Sequence, residues 1–200
     1  MDLFGNDPAA NLLPRDGTVN YFGLVLTTAD ARRFYDTLLR EIPWKNDEAV
    51  IFGKRIVTAR KVAWYGDSDF SYTYSGTTKH ALVWTDELAA LKSIVEKLTV
   101  TRFNSCLLNL YHDGNEGMAW HSDDEKSLGR NSTIASVSLG AEREFRLKHK
   151  RLDEKVSVLL ESGSLLVMKD TTQTHWLHSI PKSKKIKTPR INLTFRTMAV

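Results

Sequence analysis

The part of the chain after Arg102 constrains the fold most, because its apolar residues follow the pattern of one short strand after another. Turn sequences separate these strands, as at Asp113-Gly114-Asn115 and Ser162-Gly163-Ser164. We predict strands at 103–111, 133–139, 143–148, 156–160, 165–168, 175–180 and 190–197. Many short strands at this spacing indicate a β-sandwich or a β-barrel.

The first half of the chain differs, because it also carries two amphipathic helical patterns. Helices confined to this half favour a mainly β (α+β) fold in which the helices buttress one sheet. The predicted elements are a strand at 21–26, a helix from the cap Thr27 or Thr28 to about Glu41, a hairpin at 49–57 that turns near Gly53, and a helix after the cap Thr85.

Composition narrows the class of protein. The chain has 200 residues, of which 42% are hydrophobic, and this is enough for the core of one domain. No stretch approaches the roughly 20 apolar residues of a membrane span, and the acidic start does not predict a signal peptide. Cys106 is the only cysteine, which excludes an internal disulfide and fits a reducing compartment. The net charge of +4 allows a nucleic-acid partner without requiring one.

The sequence at 190–196 alternates strictly, so that its three apolar residues share one face of a strand. The opposite face carries Arg190, Asn192, Thr194 and Arg196. Because arginine binds carboxylates bidentately and keeps its charge, two arginines on one strip suit a ligand with a carboxylate at each end. Asn109 and Tyr111, also two positions apart, can offer an amide and a phenol to the same cavity. The alternative is a strand face exposed to solvent.

His121 and Asp123 are separated by one residue, so on extended backbone their side chains point the same way. With a third ligand they would form the two-histidine, one-carboxylate face of non-haem Fe(II) oxygenases. His175 and His178 are the candidates, and on a regular strand they lie on opposite faces, so at most one is expected to reach. Taken alone, the pair could instead be exposed and bind nothing.

Several motifs, in order along the chain, carry a resemblance to a known family. They are IFGK at 51–54, YGD at 65–67, SYTYSG at 71–76, NLYHDG at 109–114, HSDDE at 121–125, IASVSLGA at 134–141, GSLLVM at 163–168, THWLHSIP at 174–181 and PRINLTFR at 189–196. Over roughly residues 45–197 the chain resembles the AlkB-type Fe(II)/2-oxoglutarate dioxygenases, most of all the homologue that repairs alkylated bases in duplex DNA. That family's fold is a double-stranded β-helix, a jelly roll, which agrees with the strand count.

The resemblance implies a site for each cofactor. His121, Asp123 and His178 resemble the iron ligands, which decides between the two late histidines. Arg190 resembles the anchor of the far carboxylate of 2-oxoglutarate. The other implied contacts of this cosubstrate are Tyr111, Asn192 and Thr194 near that carboxylate, with Arg196 and Asn109 at the end that chelates iron. The implied cofactors are Fe(II), 2-oxoglutarate and O2.

The aromatic residues before the core resemble the family's substrate contacts. Tyr72 and Tyr74 resemble the wall of the base pocket. Phe52, followed by Gly53 and Lys54 in the hairpin motif, resembles the wedge that fills the gap left by a flipped base. The alternative for all three rings is ordinary packing in the core.

Two charged segments also resemble substrate contacts. Asp124 and Glu125 resemble polar contacts to the base and the sugar. A basic run follows the 175–180 strand; its lysines are Lys182, Lys184, Lys185 and Lys187. By default this run is a solvated loop, but beside an active site it would also meet phosphates.

The implied function is oxidative demethylation of N1-methyladenine and N3-methylcytosine in DNA by direct reversal, with release of formaldehyde, succinate and CO2. We expect alkylated duplex DNA as the partner, no membrane, a monomer, and an intracellular location: the cytoplasm or nucleoid of a bacterium, or the nucleus of a eukaryote. The alternatives are the same chemistry on RNA or protein, and a DNA-binding module without turnover. The implied regions are an arm at 1–20, a nucleotide-recognition region at 21–102 and the catalytic core at 103–200.

Overall fold

The structure is a computed structural model that describes residues 7–51, 54–68, 70–74 and 77–199. At 49–51, 54–56, 71–74, 77–79 and 126 it describes the backbone and not the side chains. The helices are α1 (Thr28–Glu41), α2 (Asp86–Thr99) and the single turn α3 (Thr172–His175), with a 3-10 turn at Lys126–Leu128. The strands are β1 (Thr18–Leu24), β2 (Lys45–Ile51), β3 (Lys54–Gly66), β4 (Ser71–Tyr74), β5 (Thr77–His80), β6 (Ser105–Tyr111), β7 (Met118–His121), β8 (Ile134–Gly140), β9 (Arg143–His149), β10 (Lys155–Leu160), β11 (Ser164–Lys169), β12 (Trp176–Ile180) and β13 (Arg190–Arg196).

These strands form two larger antiparallel sheets and one separate hairpin. The large sheet has the order β1-β11-β8-β13-β6-β3-β2, the small sheet has the order β10-β9-β12-β7, and β4 pairs with β5. Side chains of both larger sheets meet in one cluster, where Ile134 and Leu166 of the large sheet pack with Leu147 and Trp176 of the small sheet. Two sheets packed face to face around a shared core confirm the predicted mainly β fold.

Helices α1 and α2 cover the other face of the large sheet. Phe34 of α1 and Leu91 of α2 are buried with Leu193 of β13 in a second apolar cluster. Each helix begins at the predicted cap: the Thr27 side chain accepts from the backbone N–H of Asp30, and the Thr85 side chain accepts from that of Leu88. The helices therefore buttress one sheet, as predicted.

The arm predicted at 1–20 overlaps the first strand. Strand β1 begins at Thr18 and pairs with β11, whereas the predicted strand began at residue 21. Val19 is fully buried between the sheets. Asn20 is also buried, and the strand accommodates it because its side-chain amide donates to the Ala10 carbonyl at 3.0 Å. Leu13 is also buried in the cluster between the sheets. The division into arm, recognition region and core stays a prediction about function, because β1, β2 and β3 share a sheet with strands of the core.

Two elements differ from the predicted strands. The strand predicted at 175–180 is one residue shorter, because His175 is the last residue of the helical turn α3 and the strand spans Trp176–Ile180. The short strand β7 was not predicted, because Met118–His121 lacks an apolar alternation. Among the described strands, β12 is the one that pairs with it. Among the described residues, no helix is long and apolar enough to cross a membrane.

Arg143, on β9, is fully buried and holds two loops together. Its guanidinium donates to the carbonyls of Glu116 and Pro181, each at 2.8 Å, and to that of Asp113 at 3.4 Å. We expect Arg143→Met to lower the free energy of unfolding by about 2–4 kcal/mol, because these carbonyls lose their donor. Urea denaturation measures the change.

The matched control for Arg143 is Arg146, which lies on the same strand but points to solvent and pairs with the half-buried Glu144. Because an exposed ion pair contributes little, Arg146→Met should change the free energy of unfolding by less than about 1 kcal/mol. Equal losses in the two variants would show that the carbonyl contacts of Arg143 do not stabilise the fold.

Candidate active site

A cavity of about 200 Å³ lies between the large and the small sheet. Polar residues from both sheets line it, together with apolar side chains such as Phe145, Leu160 and Met168. The predicted site residues among its lining are Asn109, Tyr111, His121, Asp123, Glu125, His178, Arg190, Asn192, Thr194 and Arg196. The structure thus brings together in one cavity every residue predicted to contact the metal or the cosubstrate.

Three of these residues form a potential metal site at one end of the cavity. His121 on β7 pairs in register with His178 on β12, and their ring centroids are 4.2 Å apart. One ligand atom from each of His121, Asp123 and His178 lies within 4.8 Å of the others. Two imidazoles and one carboxylate on one face leave the remaining positions of a metal open to small ligands.

The hydrogen bonds of His121 fit metal binding. Its Nδ1 lies 2.9 Å from the carbonyl oxygen of Ala119, which can only accept. Nδ1 therefore carries the proton, and the lone pair of Nε2 is left for a metal. That Nε2 faces Oδ1 of Asp123 at 3.7 Å, a separation that suits two ligands of one ion.

The charge states also fit. Burial, followed by the charge of His121, lowers the pKa of His178 to about 3, so its ring is neutral near pH 7. Burial acts to raise the pKa of Asp123, but the positive charge of Arg196 together with the two histidines outweighs it and holds that pKa below its ordinary value. A neutral imidazole and a carboxylate are the forms in which these side chains bind metals.

His175 lies elsewhere. The prediction that His175 and His178 share one regular strand is wrong, because His175 ends the turn α3, whereas His178 lies within β12. The His175 ring stacks on His149, with centroids 6.0 Å apart, near Asp16. Only His178 of the two reaches the His121 and Asp123 cluster.

The Asp16, His149 and His175 cluster does not suit a metal. Nδ1 of His149 accepts from the backbone N–H groups of Arg151 and Leu152, at 3.2 and 3.0 Å. The proton of the neutral ring is therefore on Nε2, which faces Oδ2 of Asp16 at 3.3 Å. The segment before β1 therefore lies beside the small sheet.

Arg190 lies at the other end of the cavity and is 1% exposed. One terminal nitrogen donates to Oγ of Ser138 at 2.9 Å, while Nε and the other terminal nitrogen have no hydrogen-bond partner among the described residues. Burial lowers the pKa of Arg190 to about 10, which still leaves it charged near pH 7. A buried guanidinium with two unpaired nitrogens is unfavourable by itself and offers a bidentate site to a carboxylate.

The polar face of β13 points into the cavity rather than into solvent. Asn192 donates to Oγ of Ser136 at 2.8 Å and to the carbonyl of Val137 at 3.0 Å. In register on the neighbouring strand β6, Asn109 lies opposite Asn192 and Tyr111 lies opposite Arg190. The Oδ1 atom of Asn109 is buried and has no hydrogen-bond partner in the described part of the chain. Unsatisfied polar atoms therefore accompany the unpaired guanidinium, as expected where a polar ligand binds.

Arg196, at the metal end of β13, contacts Asp123. Its terminal nitrogen donates to Oδ2 of Asp123 at 2.6 Å. Because Oδ1 faces His121, the two carboxylate oxygens have separate tasks: Oδ2 pairs with the guanidinium, and Oδ1 is left for a metal.

The family model for the 2OG-Fe(II) oxygenase superfamily matches residues 18–196, from the start of β1 to the end of β13. The chain belongs to the 2OG-Fe(II) oxygenase superfamily. Members use Fe(II), 2-oxoglutarate and O2, and the described donor set fits them: the triad suits iron, and Arg190 suits a carboxylate of 2-oxoglutarate.

Several relatives of this oxygenase are known. It is 38% identical over 186 residues to the DNA oxidative demethylase ALKBH2 of Bos taurus, covering 88% of this chain and 67% of the relative. It is 39% identical over 179 residues to the alpha-ketoglutarate-dependent dioxygenase alkB homolog 3 of Bos taurus, covering 84% of this chain and 62% of the relative. The solved structure of OsALKBH1 matches with a TM-score of 0.64 and 16% identity, over 92% of this chain and 98% of that chain, which supports the fold.

The substrate side of the oxygenase is described in part. Phe52 and Gly53 lie outside the described residues. For Lys54, at the start of β3, and for Tyr72 and Tyr74, on β4, only the backbone is described. The roles predicted for these five residues from the resemblance stay predictions.

Asp124 and Glu125 follow directly after the metal-site aspartate, and both side chains are exposed. Glu125 lines the cavity, whereas Oδ2 of Asp124 accepts from the Ser122 hydroxyl at 3.3 Å. The oxygenase therefore carries negative charge beside the metal end of its cavity, and the proposed contacts to base and sugar stay predictions.

Sequence reasoning missed several residues that shape the site. Ser136 and Ser138 on β8 bind the polar face of β13, and Gln173 on α3 binds the backbone of Asp123. The serines alternate with apolar residues on a predicted strand, a signal that could have placed them on the cavity side. No sequence pattern indicates the contact of Gln173, because fifty positions separate it from its partner.

Proposed function

We propose that this oxygenase is an oxidative demethylase of alkylated DNA, acting on N1-methyladenine and N3-methylcytosine. The observation that carries the proposal is that the His121, Asp123 and His178 cluster and the unpaired guanidinium of Arg190 open into one cavity. A binding module without turnover has no need of a buried, half-paired arginine opposite three potential metal ligands. The substrate class follows from the relatives, of which ALKBH2 is named a DNA oxidative demethylase.

In the reaction, one oxygen atom of O2 enters succinate as 2-oxoglutarate loses CO2, and the other enters the N-methyl group of the base. The hydroxymethyl group then leaves as formaldehyde and restores the base. Iron, when bound, supplies the oxidising chemistry that couples these two halves. The protein binds, orients and shields the reactants.

Each end of the cavity has its own task in this proposal. Arg190 holds the far carboxylate of 2-oxoglutarate, with Tyr111 beside it at 5.4 Å from ring centroid to guanidinium carbon. Asn192 and Thr194 contact the cosubstrate near that carboxylate, whereas Asn109 and Arg196 would contact the end that faces the metal. Phe145, stacked on the ring of His178 at 5.4 Å, excludes water from the metal end.

The rim of the cavity supports a nucleic-acid substrate. The loop between β12 and β13 carries exposed lysines at 182, 184, 185 and 187. Cations at this position neutralise phosphates, so binding should weaken as salt increases. Asp124 and Glu125 would contact the flipped base and its sugar, and Tyr72 and Tyr74 would enclose the base.

Product release tests the proposal directly. Formaldehyde and succinate are measured with methylated single-stranded DNA, duplex DNA, RNA and a methylated protein, each with and without added Fe(II). Iron-dependent release from DNA supports the proposal. Release from RNA or protein alone would assign the same chemistry to another substrate, and binding without release would indicate a module without turnover.

We also propose that duplex DNA is the preferred form of the substrate and that Phe52 is the reason. Flipping a base out of a duplex costs a few kcal/mol, and much less from a single strand. A ring that fills the vacated position offsets part of that cost only in a duplex. We therefore expect Phe52→Ala to reduce the rate on methylated duplex DNA much more than on the same lesion in a single strand.

Paired rate measurements on the two substrates, with a thermal melt of each variant, test Phe52. Val57→Ala is the matched control, because Val57 is an apolar residue on the following strand β3 with 59% of its surface exposed. This control should leave both rates unchanged. Equal loss on both substrates with a lowered melting temperature would assign Phe52 to the core.

We further propose that the protein acts as a monomer inside the cell, where its substrate is found. This means the nucleoid in a bacterium and the nucleus in a eukaryote. The buried thiol of Cys106 is in keeping with a reducing compartment.

A further inference from the structure

The turn α3 contacts the segment that carries two of the metal-site residues. We call residues 121–125 the ligand loop, because it begins at His121 and contains Asp123. Strands β11 and β12 flank α3 in the chain. Oγ1 of Thr172, which is 1% exposed, accepts from the backbone N–H of Thr18 at 2.9 Å and donates to the Lys169 carbonyl at 2.6 Å. The turn is therefore fixed to two strands of the large sheet.

Gln173, the second residue of α3, is fastened to the ligand loop by its side chain. It is 8% exposed, and its Oε1 accepts from the buried backbone N–H of Asp123 at 2.9 Å. Its Nε2 lies 3.5 Å from the sulfur of Met168, which lines the cavity. Without Oε1 the N–H of Asp123 would lose its acceptor in a buried position, where an unpaired donor costs about 1–3 kcal/mol.

A second contact joins the same turn to the same loop. Nζ of Lys150 donates to the backbone carbonyl of Gln173 at 2.8 Å and to Oγ of Ser122 at 3.0 Å. The residue before Asp123 is thus tied to α3 through a lysine, while Asp123 itself is tied to it directly.

We propose that Gln173 is a positioning residue for the metal, on the premise that His121, Asp123 and His178 bind it as in the proposed function. By holding the backbone of Asp123, Gln173 sets the direction in which the carboxylate leaves the chain. In that direction Oδ1 faces His121 at 3.7 Å and Oδ2 pairs with Arg196 at 2.6 Å. Gln173 does not line the cavity, and it acts on metal affinity through Asp123.

Two variants of equal side-chain length separate the hydrogen bond from the packing. Gln173→Met fills the same space without an acceptor, whereas Gln173→Glu keeps an oxygen at the same reach. The protein, without nucleic acid, is titrated with Mn(II) by calorimetry at saturating 2-oxoglutarate. We expect Gln173→Met to weaken Mn(II) binding by roughly 10-fold or more, the usual effect of removing a residue that orients a metal ligand. Gln173→Glu should bind as tightly as the unchanged protein.

Further measurements distinguish positioning from general damage. The affinity for 2-oxoglutarate at saturating Mn(II) should be unchanged in Gln173→Met, because Arg190 lies at the other end of the cavity. Ser122→Ala, in the same loop, should leave Mn(II) binding close to normal, since it removes only the indirect contact through Lys150. His121→Ala should abolish the Mn(II) signal and so identify the site that is measured.

Three results would overturn the proposal: unchanged Mn(II) affinity in Gln173→Met, an equal loss in Gln173→Glu, or a parallel loss of 2-oxoglutarate affinity. Failure of the proposed function has a different signature. If the unchanged protein binds no Mn(II), or if His121→Ala binds it normally, the metal site itself is wrong. If Mn(II) binds and no methylated substrate is turned over, the metal site stands and the proposed demethylase activity is wrong.

Discussion

Replacing His178 by alanine is expected to abolish both turnover and metal binding, whereas replacing His175 by alanine should leave both measurable. His178 is buried on β12, with its ring centroid 4.2 Å from that of His121, and it completes the cluster with Asp123. Removing it would leave two of the three proposed protein ligands, and a bound metal would lose its fixed geometry. His175 instead stacks on His149, away from the cavity.

The measurement is the iron content and the succinate production of both variants, with His121→Ala and Asp123→Ala alongside, which should also be inactive. The two histidines are three positions apart, so the comparison isolates the position of the ring. An active His178→Ala with an inactive His175→Ala would show that the wrong histidine was assigned to the metal.

The second large effect is expected at Arg190. Arg190→Ala should raise the half-saturating concentration of 2-oxoglutarate by roughly 10- to 150-fold, equivalent to about 1.5–3 kcal/mol for a charge-assisted pair. The reason is that Nε and one terminal nitrogen are buried with no partner among the residues that the structure describes, at the end of the cavity remote from the His121, Asp123 and His178 cluster. Titration of 2-oxoglutarate against succinate production measures the change.

Arg190→Lys is the matched control, because it keeps the positive charge and loses the two parallel donors. Its half-saturating concentration of 2-oxoglutarate should lie between those of the unchanged protein and Arg190→Ala. Mn(II) affinity measured without 2-oxoglutarate should be unchanged in both variants, which separates the anchor from the metal site. An unchanged half-saturating concentration in Arg190→Ala would mean that this guanidinium does not hold the cosubstrate.

The sequence predicts those elements whose pattern and contacts are set by neighbouring residues. Strand β13 alternates so strictly that the faces of Arg190 and Leu193 could be predicted before either partner layer was known. The caps Thr27 and Thr85 are also local signals, because each bonds a backbone N–H three residues away. Such elements depend on residues close in sequence.

The features that could not be predicted depend on distant partners. Strand β7 is too short to show a pattern, and it exists because β12 pairs with it. The turn α3 was not predicted; its Thr172 bonds Thr18 of β1, which is 154 positions away in sequence. The role proposed for Gln173 could not be predicted for the same reason. The resemblance to the family did not indicate its contact with Asp123 either.

The opposite faces of β13 have a consequence for how this protein can change over time. Leu193 and its apolar neighbours pack towards the helices, while Arg190 and Asn192 face the cavity. Every side chain of the strand therefore lies either in the apolar cluster or against the cavity. A substitution alters one position on one side. Inserting or deleting a single residue in mid-strand would exchange the two sides beyond that point, burying an arginine under the helices and placing a leucine or phenylalanine in the cavity. This strand can therefore diverge by substitution, but it does not tolerate the insertion or deletion of a residue.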